Sequence, residues 1–260
     1  NDEASAASHA SALDPETTAA LLESVPAVQG LGVQDALLAA LALTLGEWAG
    51  TDEVVIDLEG HGREDVLDGV DLSRTVGWFT SIYPVRLAPG DAGGPAEALR
   101  RVRDQLRAVP TRGIGYGLLR YLGPDAARQR LTAAGLPEVV FNYLGQYDQL
   151  IAGGGPFRPA RENSGTLRAP SGSRAHLLEV NASAAGGRLH VEWAYGSRVH
   201  RAETIERLAD RFLAHLRELV EHCRRVGAEG FASADFPELE LSAENLDAIF
   251  DELYDEAGNS

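Results

Sequence analysis

The stretch Asp57-Leu-Glu-Gly-His-Gly-Arg-Glu64 decides how this chain is read. Just ahead of it and within it, Val54, Val55, Ile56 and Leu58 give an apolar strand signal, and Glu59 stands where that strand opens into Gly60-His61-Gly62. Glycine at positions 60 and 62 permits close approach of another group, while His61, Arg63 and Glu64 crowd the turn with titratable side chains. A carboxyl so placed is expected to be partly desolvated, with its pKa raised toward a range useful for proton transfer. The competing reading is an ordinary strand-end glutamate pointing into water.

Working outward, Asp14 caps a helix that has Pro15 in its first turn and stops at Pro26. A second helix, 33–49, carries Leu37, Leu38, Leu41, Leu45 and Trp48 at helical spacing, all expected to face the core. Strands are expected at 53–58 and 76–87, the latter because Trp78, Thr80 and Ile82 alternate with Phe79, Ser81 and Tyr83. An amphipathic helix follows at 95–109, then a glycine-rich turn from Arg112, a short helical stretch to Gly135 and a strand at 138–144. The segment 145–173 has little periodicity, and a loop of that length usually binds or bridges something. Strands at 175–182 and 188–195 flank a Gly186-Gly187 hairpin, and a long amphipathic helix runs over 203–226. The expected organisation is a disordered Ala/Ser-rich lead-in at 1–12, a domain at 13–230 and an acidic tail with a short helix at 231–260. Helices interspersed with strands point to an α/β fold, a sandwich built on a mixed sheet with flanking helices.

Composition narrows the function. The 260 residues are 44% hydrophobic and carry a formal net charge of −16, and every basic residue is arginine. Such a surface repels nucleic acid and anionic membranes, and the apolar run Ala36–Leu45 falls short of the ~20 residues of a membrane span. The acidic amino end shows no secretory signal, and a single cysteine, Cys223, within a helical run reads as a packed thiol in a reducing, cytoplasmic setting. No metal site is expected, because His61 and Glu64 lack the His-Glu-x-x-His spacing. Gly113-Ile-Gly-Tyr-Gly117 misses the dinucleotide fingerprint, and a chain without lysine has no Walker lysine; a tight turn against another element fits it better. Asn142 and Tyr143 end a strand ahead of Gly145, which fits either local hydrogen bonding or a site.

Five motifs occur in order: Asp35-Ala-Leu-Leu-Ala-Ala-Leu41, Glu59-Gly-His-Gly-Arg-Glu64, Arg74-Thr-Val-Gly-Trp-Phe-Thr-Ser-Ile-Tyr-Pro84, Gly113-Ile-Gly-Tyr-Gly117 and Phe141-Asn-Tyr-Leu-Gly-Gln146. Together they resemble the carboxy-terminal half of an epimerization domain from a nonribosomal peptide synthetase, within the condensation-domain superfamily. The resemblance implies a chloramphenicol-acetyltransferase-like lobe that inverts, L to D, the α-carbon of an aminoacyl or peptidyl thioester. The substrate would arrive on the phosphopantetheine arm of a peptidyl carrier protein, with no cofactor bound directly. Glu59 matches the family's catalytic glutamate, Tyr143 its assisting tyrosine and Asn142 an orienting neighbour, while His61, Gly60, Gly62 and Arg63 shape the turn. The family's His-His-x-x-x-Asp-Gly motif is missing, so the resemblance implies an amino-terminal partner lobe and a chain inactive on its own. A non-catalytic carrier-docking or scaffold lobe and a condensation-type acyltransferase lobe stay open as alternatives.

Overall fold

The computed structural model describes residues 1–28, 30–64, 66, 69–90, 93–147, 165 and 168–229. Asn1–Arg224 form one compact unit, and of the remainder, Arg225–Ser260, only the end of one helix is described. The acidic tail expected at 231–260 and most of the loop expected at 145–173 therefore lie outside the described residues.

In chain order the elements are β1 (Ala6–Ala12), α1 (Pro15–Ala27), α2 (Val33–Ala49), β2 (Val54–Gly60), β3 (Ser81–Leu87) and α3 (Gly94–Arg107). They continue with α4 (Gly115–Tyr121), α5 (Asp125–Ala133), β4 (Val139–Gln146), β5 (Leu178–Ala185), β6 (Arg188–Gly196) and α6 (Ala202–Glu229). Among the described residues the strands form one six-stranded sheet in the order β1-β6-β5-β4-β2-β3. β4 runs parallel to β2 and β5, and the other pairs are antiparallel. The sheet is mixed, as expected.

Local chemistry accounts for the boundaries. The Asp14 carboxylate accepts from the Thr17 amide at 2.9 Å, which starts α1 and holds that carboxyl below its usual range. Thr18 is buried and accepts the Leu189 amide at 3.0 Å, so α1 is bolted to β6 in its first turn. In β5–β6 the turn Gly186-Gly187 takes positive φ at both positions, the geometry a two-residue hairpin requires. α2 buries Ala36 through Ala42 on every side, as a helix does when packed between the sheet and other helices. Trp48 departs from expectation: it is half-exposed and lies edge-on to His200 at 5.8 Å.

The core lies on one face of the sheet. Ile56, Leu58, Phe141, Val180, Val191 and Trp193 meet α6 residues such as Ile205, Phe212 and Leu216, with the Trp193 and Phe212 rings edge to face at 5.8 Å. Cys223 is packed there, and burial pushes its thiol to about 11.

Two expectations are corrected. Residues 1–12 are not a disordered lead-in: they form a short 3-10 turn and then β1, an edge strand paired with β6 from Ala6↔Gly196 to Ala12↔His190. Alanine and serine give no apolar alternation to read, so this strand owes its order to main-chain pairing with β6. Nor does a strand begin at Val76. The β2–β3 ladder ends at Gly60↔Ser81, where the chain turns at Gly62 with positive φ, and Val76 and Trp78 are 100% and 90% exposed.

The glycine-rich turn is indeed a tight approach. Gly113 has φ +78°, and a Cβ there would stand 2.1 Å from Tyr83 Cγ. Gly113→Ala is expected to cost about 2–4 kcal/mol of overpacking and left-handed strain. Gly117→Ala, within α4 and with nothing inside 4 Å, is expected to be neutral or to stabilise by up to ~1 kcal/mol. Urea denaturation of the two variants checks the contrast.

Candidate active site

Strand pleating builds the site. In β2, Ile56 and Leu58 face the helices, so Val55, Asp57 and Glu59 face the other way. The parallel register, Asp57↔Val140 and Leu58↔Phe141, sets Glu59 beside Asn142, and Asn142 Nδ2 donates to Glu59 Oε2 at 2.9 Å. On the far side of Asn142 the row continues with Asn181. Glu59 is half-buried; burial first, and then the negative charge of Glu179, push its carboxyl above the ordinary 4.5, while His176 and Arg168 pull the other way. The result is a carboxyl with a firm hydrogen-bond partner and a proton affinity moved toward neutrality, which suits a proton donor or acceptor.

The surroundings are more polar than the sequence reading foresaw. His176 Nε2 lies 2.8 Å from Oδ2 of the buried Asp57. A carboxylate only accepts, so that nitrogen carries the proton. Arg174, 7% exposed, pairs with Glu179 at 3.0 Å, and Arg168 reaches both Glu3 at 2.9 Å and Glu179 at 3.4 Å. Asp57 had a sequence signal, a charged residue alternating inside an apolar strand on the same face as Glu59. His176 and Arg174 had none, because they come from a segment more than a hundred residues away.

The turn after Glu59 is built around the chain's own backbone. A Cβ on Gly62, where φ is +65°, would stand 1.6 Å from the Phe79 carbonyl oxygen, and one on Gly60 would stand 3.2 Å from Ser81 Oγ. The group that the glycines admit is thus the Phe79–Ser81 segment. Arg63 donates to the carbonyls of Leu72 and Thr75, upstream of that segment, and lies 4.3 Å from the centre of the Phe79 ring within it. His61, exposed, accepts the Arg63 amide on Nδ1 at 3.0 Å and meets Glu64 through Nε2 at 3.2 Å.

Tyr143 is not brought to Glu59. It follows Asn142 in β4, so its side chain takes the opposite face, paired with the fully buried Ala182 and packed against the core, where burial pushes its phenol up. Of the two adjacent residues, Asn142 is the neighbour that pleating gives Glu59, and Tyr143 stands on the other face of β4.

Two other features were weighed. A cleft of about 450 Å³ among α2, α3 and α6 contains Glu47, Arg211 and His215. Those charges answer one another: Arg211 grips Glu47 through two bonds of 2.6 and 2.7 Å, and the Glu47 carboxyl is held down at about 2. Among the described residues no cluster of three His, Cys, Asp or Glu is placed to hold a metal ion, and no helix is long and apolar enough to cross a membrane.

Because Glu59 binds its proton more tightly in the folded than in the unfolded chain, its ionisation destabilises the fold as pH rises through 4.5 and up to its raised folded value. Glu59→Gln is therefore expected to gain stability relative to the parent between pH 4 and pH 8, a trend that urea titrations at both pH values measure.

Comparison with known proteins agrees with this architecture. The family described as Condensation domain matches residues 1–234. Chondramide synthase cmdD of Chondromyces crocatus is 43% identical over 255 residues, 97% of this chain and 6% of that protein. Gramicidin S synthase 1 of Brevibacillus brevis is 35% identical over 250 residues, 92% of this chain and 22% of that protein. The chain thus spans a small part of the length of these relatives. Among solved structures, the epimerization domain from the third module of tyrocidine synthetase B superposes with a TM-score of 0.78 at 36% identity, covering 86% of this chain and 50% of that one. The first condensation domain of the CDA synthetase, at 21% identity and a TM-score of 0.55, shares the fold. With the family matched along the whole of its described length, the chain belongs to the condensation-domain family of nonribosomal peptide synthetases.

Proposed function

We propose that this chain is the carboxy-terminal lobe of an epimerization domain, inverting the α-carbon of an aminoacyl or peptidyl thioester from L to D. The observation that carries the reading is Glu59: a half-buried carboxyl with raised proton affinity, held by Asn142 at 2.9 Å at the end of a buried strand. The match to half of an epimerization-domain structure supports the choice of branch.

Inversion requires a proton to leave one face of the α-carbon and another to arrive on the opposite face. Glu59, ionised, takes the α-proton or, protonated, returns one; Asn142 holds one carboxyl oxygen, which leaves the other for the substrate. A single fixed carboxyl cannot serve both faces, so the second group comes from an amino-terminal lobe that packs against this one. The thioester reaches Glu59 on the phosphopantetheine arm of a peptidyl carrier protein; that arm is substrate, and no other cofactor is needed.

The test joins the chain to its preceding lobe and loads the carrier protein with an L-residue in deuterated water. Glu59→Gln is expected to slow α-hydrogen exchange by at least about 100-fold, and exchange at the parent rate would end the assignment. Asn142→Ala, which frees the carboxyl without removing it, is expected to lose about 10-fold. The family match also suits amide-forming condensation. That reading predicts a longer acyl chain when an acceptor amine is supplied, so mass analysis beside chiral analysis of the released product separates the two.

A further inference from the structure

Three carboxylates share the open face of the sheet around the site. Asp57 precedes Glu59 by two residues on the same face of β2, about 7 Å away at the strand repeat. Glu179 of β5 faces the same way, in the row that runs Asp57, Val140, Glu179. A carboxyl flanked by two others holds its proton too tightly to serve as a base unless the neighbours are balanced. Glu179 is balanced by Arg174 and Arg168. Asp57 meets His176 alone among the described residues, and among them its second oxygen, Oδ1, is buried with no hydrogen-bond partner. From β3, Ile82 stands opposite Glu59 and carries no charge, and Arg86 lies four residues farther along, engaged with Glu53. From β4 the neighbour is the neutral Asn142.

His176 is itself well fixed. Its side chain is 12% exposed, its ring is anchored on Asp57, and its carbonyl accepts the Asn1 side-chain amide at 2.7 Å. The imidazole is therefore a stationary group on Asp57, two residues from Glu59 on the same face of β2, delivered from a segment that the strand order brings back across the sheet.

We propose that His176 is a positioning residue for Glu59: anchored by Asp57, its imidazole balances the carboxylates on this face and so sets the pH at which Glu59 exchanges its proton. The inference rests on Glu59 as the proton carrier, and its consequence is a charge relationship that can be measured without turnover.

The experiment is a ¹³C-carboxyl titration of the full 260-residue chain, with Glu59 assigned by the signal lost in Glu59→Gln. His176→Gln keeps an N–H for Asp57 and removes the imidazole; the Glu59 midpoint is expected to rise by about 0.5–1 pH unit. His176→Lys restores a fixed positive charge and is expected to bring the midpoint back to the parent value or below it. Should the glutamine variant fail to fold by near-ultraviolet circular dichroism, the lysine variant alone still reads the sign, since a midpoint above the parent's contradicts the inference. In the chain joined to its preceding lobe, His176→Gln should move the acid limb of the kcat/KM profile upward by the same amount and leave plateau kcat within about twofold. A midpoint unchanged to within about 0.2 unit in His176→Gln overturns the inference even where Glu59→Gln abolishes exchange. A midpoint that moves while Glu59→Gln retains exchange supports the coupling and overturns the proposed reaction instead.

Discussion

The pleat of β2 is the constraint on which the site depends. Successive side chains of a strand must face opposite ways, and Ile56 and Leu58 are fully or almost fully buried under the helices. Each such burial stabilises the fold by about 1.5–3 kcal/mol. A one-residue slip would exchange them for Asp57 and Glu59, setting two carboxylates into an apolar core at a cost of several kcal/mol each unless they were neutralised. The register is therefore held by a large difference in burial energy, and that difference delivers Glu59 to the open face beside Asn142.

Once on that face, Glu59 is tuned by what the other strands bring. Its backbone neighbour in β4 supplies a neutral donor, while β5 and the segment leading into it supply one carboxylate and three basic side chains. Burial and Glu179 push the carboxyl's proton affinity up, and His176 and Arg168 restrain the rise. A carboxyl in water would stay ionised and hold few protons at neutral pH; a carboxyl buried without basic neighbours would stay protonated. The observed environment lies between these limits: burial and Glu179 raise the proton affinity, and His176 and Arg168 oppose the rise.

The turn that follows makes this placement durable. Gly62 lets the Phe79 carbonyl come closer than any side chain would allow, and Arg63 holds the carbonyls of Leu72 and Thr75 while lying over the Phe79 ring. The Glu-Gly-His-Gly-Arg run thus has two structural parts: Glu59 faces away from the helices beside Asn142, and the residues after it lock the chain between β2 and β3. Val76 and Trp78, left fully or nearly fully exposed next to this lock, show where the segment has apolar surface to offer.

Local patterns in the chain were enough to place α1, α2, the hairpin and the long terminal helix, because caps, helical periodicity and a Gly-Gly turn act over a few residues. They were also enough to place Glu59 at the half-buried end of β2, since an apolar strand running into a glycine-flanked carboxylate is legible without knowing what lies beside it. Neighbouring strands decided the rest. β1 exists because β6 offers it a ladder, and β3 starts late because β2 ends, neither of which is written in the propensities of 1–12 or 76–80. Adjacent in sequence, Asn142 and Tyr143 were grouped, and pleating sent them to opposite faces; Asp57 and His176, 119 positions apart, were never grouped and meet at 2.8 Å. Sequence determines which residues are able to do chemistry and which short segments are regular, while hydrogen-bond pairing and burial across the sheet decide which of those residues share a face.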